Sequence, residues 1–79
     1  MTALYEQAVE QLMRTGRVGL RDEDYGNLYV SNQWDGTYKV LEWYDEGYDL
    51  DYVTNRDGAL EAIHTWCANL EEKFSRCET

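Results

Sequence analysis

Asp35-Gly36 lies between two runs in which apolar and polar residues alternate, Asn27–Gln33 and Thr37–Trp43. A two-residue Asp-Gly connection is a strong hairpin signal, because both central positions of a type I′ turn need positive φ. Read as such a turn, it sets Trp34 opposite Thr37 and, counting outward, Val30 opposite Leu41 and Leu28 opposite Trp43. Leu28, Val30, Trp34, Leu41 and Trp43 then share one apolar face. Tyr29, Ser31, Gln33, Tyr38, Val40 and Glu42 share the other.

A second turn follows at Asp45-Glu46-Gly47. With Glu46-Gly47 as a two-residue loop, Leu50 pairs with Trp43 and Tyr52 with Leu41. With three loop residues the register slips by one and turns Asp49 and Asp51 into the core. Burying unpaired carboxylates is costly, so the first register is expected. It adds Tyr44, Asp49, Asp51 and Val53 to the outer face.

Helices flank the strands. Tyr5, Ala8, Val9, Leu12 and Met13 form one stripe at helical spacing, which predicts a helix over Thr2–Thr15 with Thr2 as N-cap and Gly16 as the stop. Val18–Asp24 reads as a connector. Thr54 followed by Asp57 resembles a capping box. It opens a helix to Cys77 whose buried stripe is Ala59, Leu60, Ile63, Trp66, Cys67, Leu70 and Phe74. The expected fold is α+β, a two-layer α-β-β-β-α arrangement with a three-stranded antiparallel sheet and both helices on one face. At 79 residues the chain reads as one domain, 1–79.

Charge is distributed unevenly along this framework. Between Asp22 and Asp51 stand nine acids and one base, Lys39, so this stretch holds −8 of the chain's −9. Such a balance argues against direct binding of nucleic acid or anionic lipid and favours a basic partner. Acids at alternate strand positions lie roughly 6.6–6.8 Å apart, comparable with phosphates along a nucleic-acid strand. Tyrosines among them add rigid contact area. A solvated surface that aids solubility, or the acidic style of a halophilic proteome, is the plainer reading of the same residues.

Little else carries chemistry. His64 and Cys67 can share a helix face, but two ligands do not make a zinc site. Ser31, Gln33, Asp35 and Glu42 fall near calcium-loop spacing with the wrong residue types and flanks. There is no phosphate-binding loop, dinucleotide fingerprint or nucleophile elbow. No catalytic residue, metal or cofactor is expected. Cys67 and Cys77, ten residues apart on one helix, stand about 15 Å apart, too far for a bridge. Arg14, Arg17 and Arg21 make a small basic counter-patch. No signal-peptide core or membrane span is visible, so a cytoplasmic protein is expected. A homodimer burying the open sheet face would set its acids against each other, so a monomer is expected.

In its acidity and its predicted order, a Thr2–Thr15 helix, an Asn27–Val53 meander and a Thr54–Cys77 helix, the chain resembles small phage-encoded anti-CRISPR proteins of the DNA-mimic kind. The residues that carry the resemblance are Asp22-Glu23-Asp24 and the run from Glu42 to Asp51. It implies a non-enzymatic inhibitor that blocks the DNA- or PAM-binding cleft of a CRISPR effector, with a type I surveillance complex the first guess. The implied contact residues are Asp22, Glu23, Asp24, Tyr38, Glu42, Tyr44, Asp45, Glu46, Asp49 and Asp51. An immunity or inhibitor protein for another basic nuclease or DNA-binding protein fits the same acids.

Overall fold

The computed structural model describes residues 3–22, 26–44, 47 and 49–77, and the side chains of 4–22, 26–44, 47 and 49–71 among them. Helix α1 (Ala3–Thr15) leads into four strands, β1 (Arg17–Asp22), β2 (Gly26–Asn32), β3 (Tyr38–Trp43) and β4 (Asp49–Thr54), and helix α2 (Arg56–Cys77) follows. The strands form one antiparallel sheet in chain order, β1-β2-β3-β4. The sheet therefore has four strands, not three. The segment read as a connector alternates cleanly: Val18 is buried and Leu20 half-buried, while Arg17, Gly19 and Arg21 are exposed. That period of two makes it a strand.

Both helices cover one face. α1 packs mainly on β1 and α2 on β2, β3 and β4, and the helices touch each other. A single core joins Ala8 and Leu12 of α1, Val18, Leu28, Val30, Tyr38 and Val40 of the sheet, and Ala59, Ile63, Trp66, Cys67 and Leu70 of α2. Leu12, Leu28, Val30, Val40 and Ile63 are essentially sealed from water. Each such side chain contributes about 1.5–3 kcal/mol through burial.

The hairpin register differs from the expected one by one residue. Val30 faces Val40, Leu28 faces Glu42 and Asn32 faces Tyr38. Five residues, 33–37, make the connection, and side chains build it. Asn32 Oδ1 accepts from the Trp34 amide at 2.8 Å. Asp35 Oδ1 accepts from the Thr37 amide at 3.0 Å and from its hydroxyl at 2.6 Å. The Gln33 amide donates to the Thr37 carbonyl at 3.0 Å. Trp34 itself takes the left-handed conformation, φ 64°, together with Gly36 at 93°.

A one-residue slip turns a strand over. Tyr38, Val40 and Glu42 face the helices, and Lys39, Leu41 and Trp43 face away. The second turn slips as well: Trp43 pairs with Asp49, Leu41 with Asp51 and Val40 with Tyr52. The two slips cancel for β4, so Asp49, Asp51 and Val53 face outward as expected. Trp34, expected in the core, is 75% exposed at the hairpin tip.

α2 is capped by Asn55, not Thr54. Asn55 Oδ1 accepts from the Gly58 amide at 2.9 Å, and the Asn55 carbonyl accepts the first helical bond, from Ala59, at 3.0 Å. The Thr2 cap lies outside the described residues.

Candidate functional site

The pairings fix what the uncovered sheet face presents. Three rows cross it from β1 to β4: Arg17–Ser31–Lys39–Val53, Gly19–Tyr29–Leu41–Asp51, and Arg21–Asn27–Trp43–Asp49. Arginines mark the β1 edge and aspartates the β4 edge, with Tyr29, Leu41 and Trp43 between them. Lys39 Nζ reaches the Asp51 carboxylate at 3.9 Å across neighbouring strands, both side chains well exposed. This face holds three bases and two acids, so it is not the continuous acidic array expected from the sequence.

Several expected contact residues move accordingly. Tyr38 is 8% exposed and lies in the core. Glu42 is half-buried on the helix side, where it lines a cleft of about 360 Å³ with Tyr52, Gly58, Glu61, Ala62 and Thr65. Burial, with the Glu42 and Glu61 carboxylates nearby, pushes the Tyr52 phenol above its ordinary pKa. Tyr44 is half-buried and its ring lies against Gly26. Asp22 ends β1 opposite Gly26. Asp49 and Asp51 are exposed on β4, an edge strand. Glu23, Asp24, Asp45 and Glu46 lie outside the described residues.

What the topology does bring together is one end of the sheet. In an antiparallel meander the β1–β2 and β3–β4 connections leave the same end. The last complete row there is Arg21–Asn27–Trp43–Asp49. The segments that depart beyond it carry Asp22-Glu23-Asp24 and Asp45-Glu46. Glu42 and Asp49 sit within the last two residues of the sheet at the same end. Among the described residues this end therefore holds Asp22, Glu42 and Asp49 with Arg21. Glu23, Asp24, Asp45 and Glu46 adjoin it in sequence and lie outside the described residues. The sequence contained this signal in the spacing of the two acidic runs. It became legible only when the fourth strand fixed their common direction.

The opposite end carries Trp34 and Gly16. The Gly16 carbonyl accepts from the Asn32 amide at 2.7 Å, tying the end of α1 to the end of β2. Among the described residues no group of three or more His, Cys, Asp and Glu side chains is placed to hold a metal ion. No helix there is long and apolar enough to cross a membrane. Cys67 is a free, buried thiol whose burial, helped by Glu71, raises its pKa. That keeps it a neutral core side chain. Compared with known proteins, the chain matches no family model, no curated protein and no solved structure.

Proposed function

We propose that this chain is a non-catalytic inhibitor that presents its acid-rich sheet end to a basic, phosphate-binding surface on another protein. The observation that supports the reading is that β1–β2 and β3–β4 are joined at the same end of the sheet. Asp22, Glu42 and Asp49 stand there, and next to them the sequence continues with Glu23, Asp24, Asp45 and Glu46. The working surface is this end of the molecule and not the sheet face. A compact negative pole competes for lysines and arginines that otherwise hold DNA phosphates. Binding is stoichiometric, and salt weakens it because the attraction is long-range.

The resemblance to DNA-mimic anti-CRISPR proteins directs the first test to type I CRISPR surveillance complexes. Each complex is incubated with the protein and then offered a PAM-containing duplex. Wild type blocks duplex binding at near-equal concentration. A variant carrying E23Q, D24N, D45N and E46Q folds normally and fails to block. Undisturbed duplex binding with wild type removes the CRISPR target. Full blocking by the neutralised variant removes the acidic pole as the working surface.

A further inference from the structure

We propose that the uncovered sheet face is the interface of a two-fold homodimer, closed by Arg21 of β1 on one copy and Asp49 of β4 on the other. The face is apolar at its centre, where Tyr29 and Leu41 are half-buried and Trp43 remains 40% exposed, with Val53 62% exposed beside them. Both helices pack on the other side, so nothing among the described residues covers these side chains. Grouped aromatic and aliphatic surface of this kind marks a contact face.

Charge selects the occupant and the axis. The chain carries −9, so two copies repel each other over most of their surface. On this face the balance is +1: Arg17 and Arg21 stand on β1, Lys39 on β3, and Asp49 and Asp51 on β4. Lys39 reaches Asp51 of its own copy, which leaves Asp49 as the aspartate open to a second copy's arginine. The two edge strands stand about 14 Å apart, three strand spacings. A two-fold axis lying in the interface and running across the strands would place β1 on β1 and β4 on β4, like charge on like. An axis running along the strands, between β2 and β3, places β1 over the partner copy's β4 and keeps each row in step. Arg21 then faces Asp49 of the other copy, twice by symmetry. Tyr29 meets Leu41, and Gly19, with no side chain, leaves room above it for Asp51. Sheets stacked about 10 Å apart are within the combined reach of an arginine and an aspartate. The interface is isologous and closes at two copies.

This arrangement has a consequence that rests on the proposed function. An axis along the strands brings the sheet ends that carry Asp22 and Glu42 to the same pole of the dimer, a like-charge cost that the apolar centre and the two Arg21–Asp49 pairs offset. Asp49 and Asp51 are given over to the interface, and the connections at 22–24 and 45–46 remain for a partner.

Sedimentation equilibrium of the isolated protein tests the interface without any target, so it stands apart from the inhibition assay. Wild type has the mass of two chains at moderate salt. Arg21→Asp and Asp49→Arg each weaken self-association on the order of a hundredfold. The double variant R21D/D49R restores the pair in the opposite sense and recovers the dimer. Circular dichroism of each variant confirms that the fold is kept. A monomeric wild type overturns the proposal and leaves the face to a different protein. A dimer indifferent to both single reversals, or one not rescued by the double exchange, places the contact elsewhere and overturns it equally.

Discussion

The Trp34 indole lies directly on the α-carbon of Gly16: a β-carbon built at Gly16 would stand 2.6 Å from Trp34 Cζ2. Gly16 also has φ +87°, in the region that side chains disfavour. Gly16→Ala therefore incurs both backbone strain and a displaced ring, together about 1–3 kcal/mol. In a Trp34→Ala background the ring part disappears and the backbone part stays. Urea denaturation of the four proteins in this cycle separates the two, and equal costs in both backgrounds would show that the indole does not rest on Gly16.

The β3 register makes a sharp contrast between neighbours. Val40 is fully buried against α2, whereas Leu41 lies on the uncovered face. Val40→Glu places an unpaired carboxylate in the core at a cost of about 4 kcal/mol or more, a large part of a small domain's stability. Leu41→Glu costs about 1 kcal/mol or less when measured at concentrations too low for self-association. Thermal melts followed by circular dichroism decide between the registers. With the register expected from an Asp35-Gly36 turn, the order would be reversed.

Asp35 has a pH signature. The Thr37 hydroxyl and then the Thr37 amide hold its carboxyl below the ordinary aspartate range. A depressed folded-state pKa stabilises the fold above the unfolded value, near 3.9, and that contribution is lost as pH falls through the folded value. In a carboxyl NMR titration Thr37→Val should raise the Asp35 pKa towards the ordinary value. An unchanged titration would mean that the hydroxyl bond at 2.6 Å does not persist in solution.

Tyr52 reports where Glu42 points. Burial raises the phenol pKa most, followed by the charges of Glu42 and Glu61. The raised value means that Tyr52 supports the fold below the unfolded tyrosine pKa, and this support is lost as pH rises through the folded value. Glu42→Gln should lower the Tyr52 pKa in an ultraviolet absorbance titration. No change would place Glu42 away from the cleft and return it to the open face.

Much of this architecture is legible in the residues, and what is not has identifiable causes. Of the stripe Tyr5, Ala8, Val9, Leu12 and Met13, Ala8 and Leu12 are buried, Tyr5 and Val9 are half-buried and Met13 is exposed. In α2 Ala59, Ile63, Trp66, Cys67 and Leu70 are buried as expected, Leu60 is half-buried, and the Phe74 side chain lies outside those described. β1 hides because Gly19 interrupts a short run and two arginines dominate its composition, although Val18 and Leu20 keep the right period. β3 is ambiguous by nature: Tyr38 and Val40 offer one apolar face, Leu41 and Trp43 the other. Bulk favours the second, but the turn decides for the first. The decision lies in Asn32, Asp35 and Thr37, whose side chains replace a two-residue turn with a five-residue one. Placing the candidate acids depended on the same choice, which is why Glu42 and Tyr38 changed sides while Asp49 and Asp51 did not.

The chain-order meander also sets how the protein is born. Every strand pairs with its sequence neighbour, so each pairing closes a short loop and forms without waiting for distant segments. The four strands can zip up during synthesis, yet one side of that ribbon, with Val30 and Val40 at its centre, stays greasy and wet until Ile63, Cys67 and Leu70 have emerged from the ribosome. The last helix is thus the element that turns a nascent ribbon into a folded domain, and the interval before it arrives is when the young chain most needs protection from its neighbours.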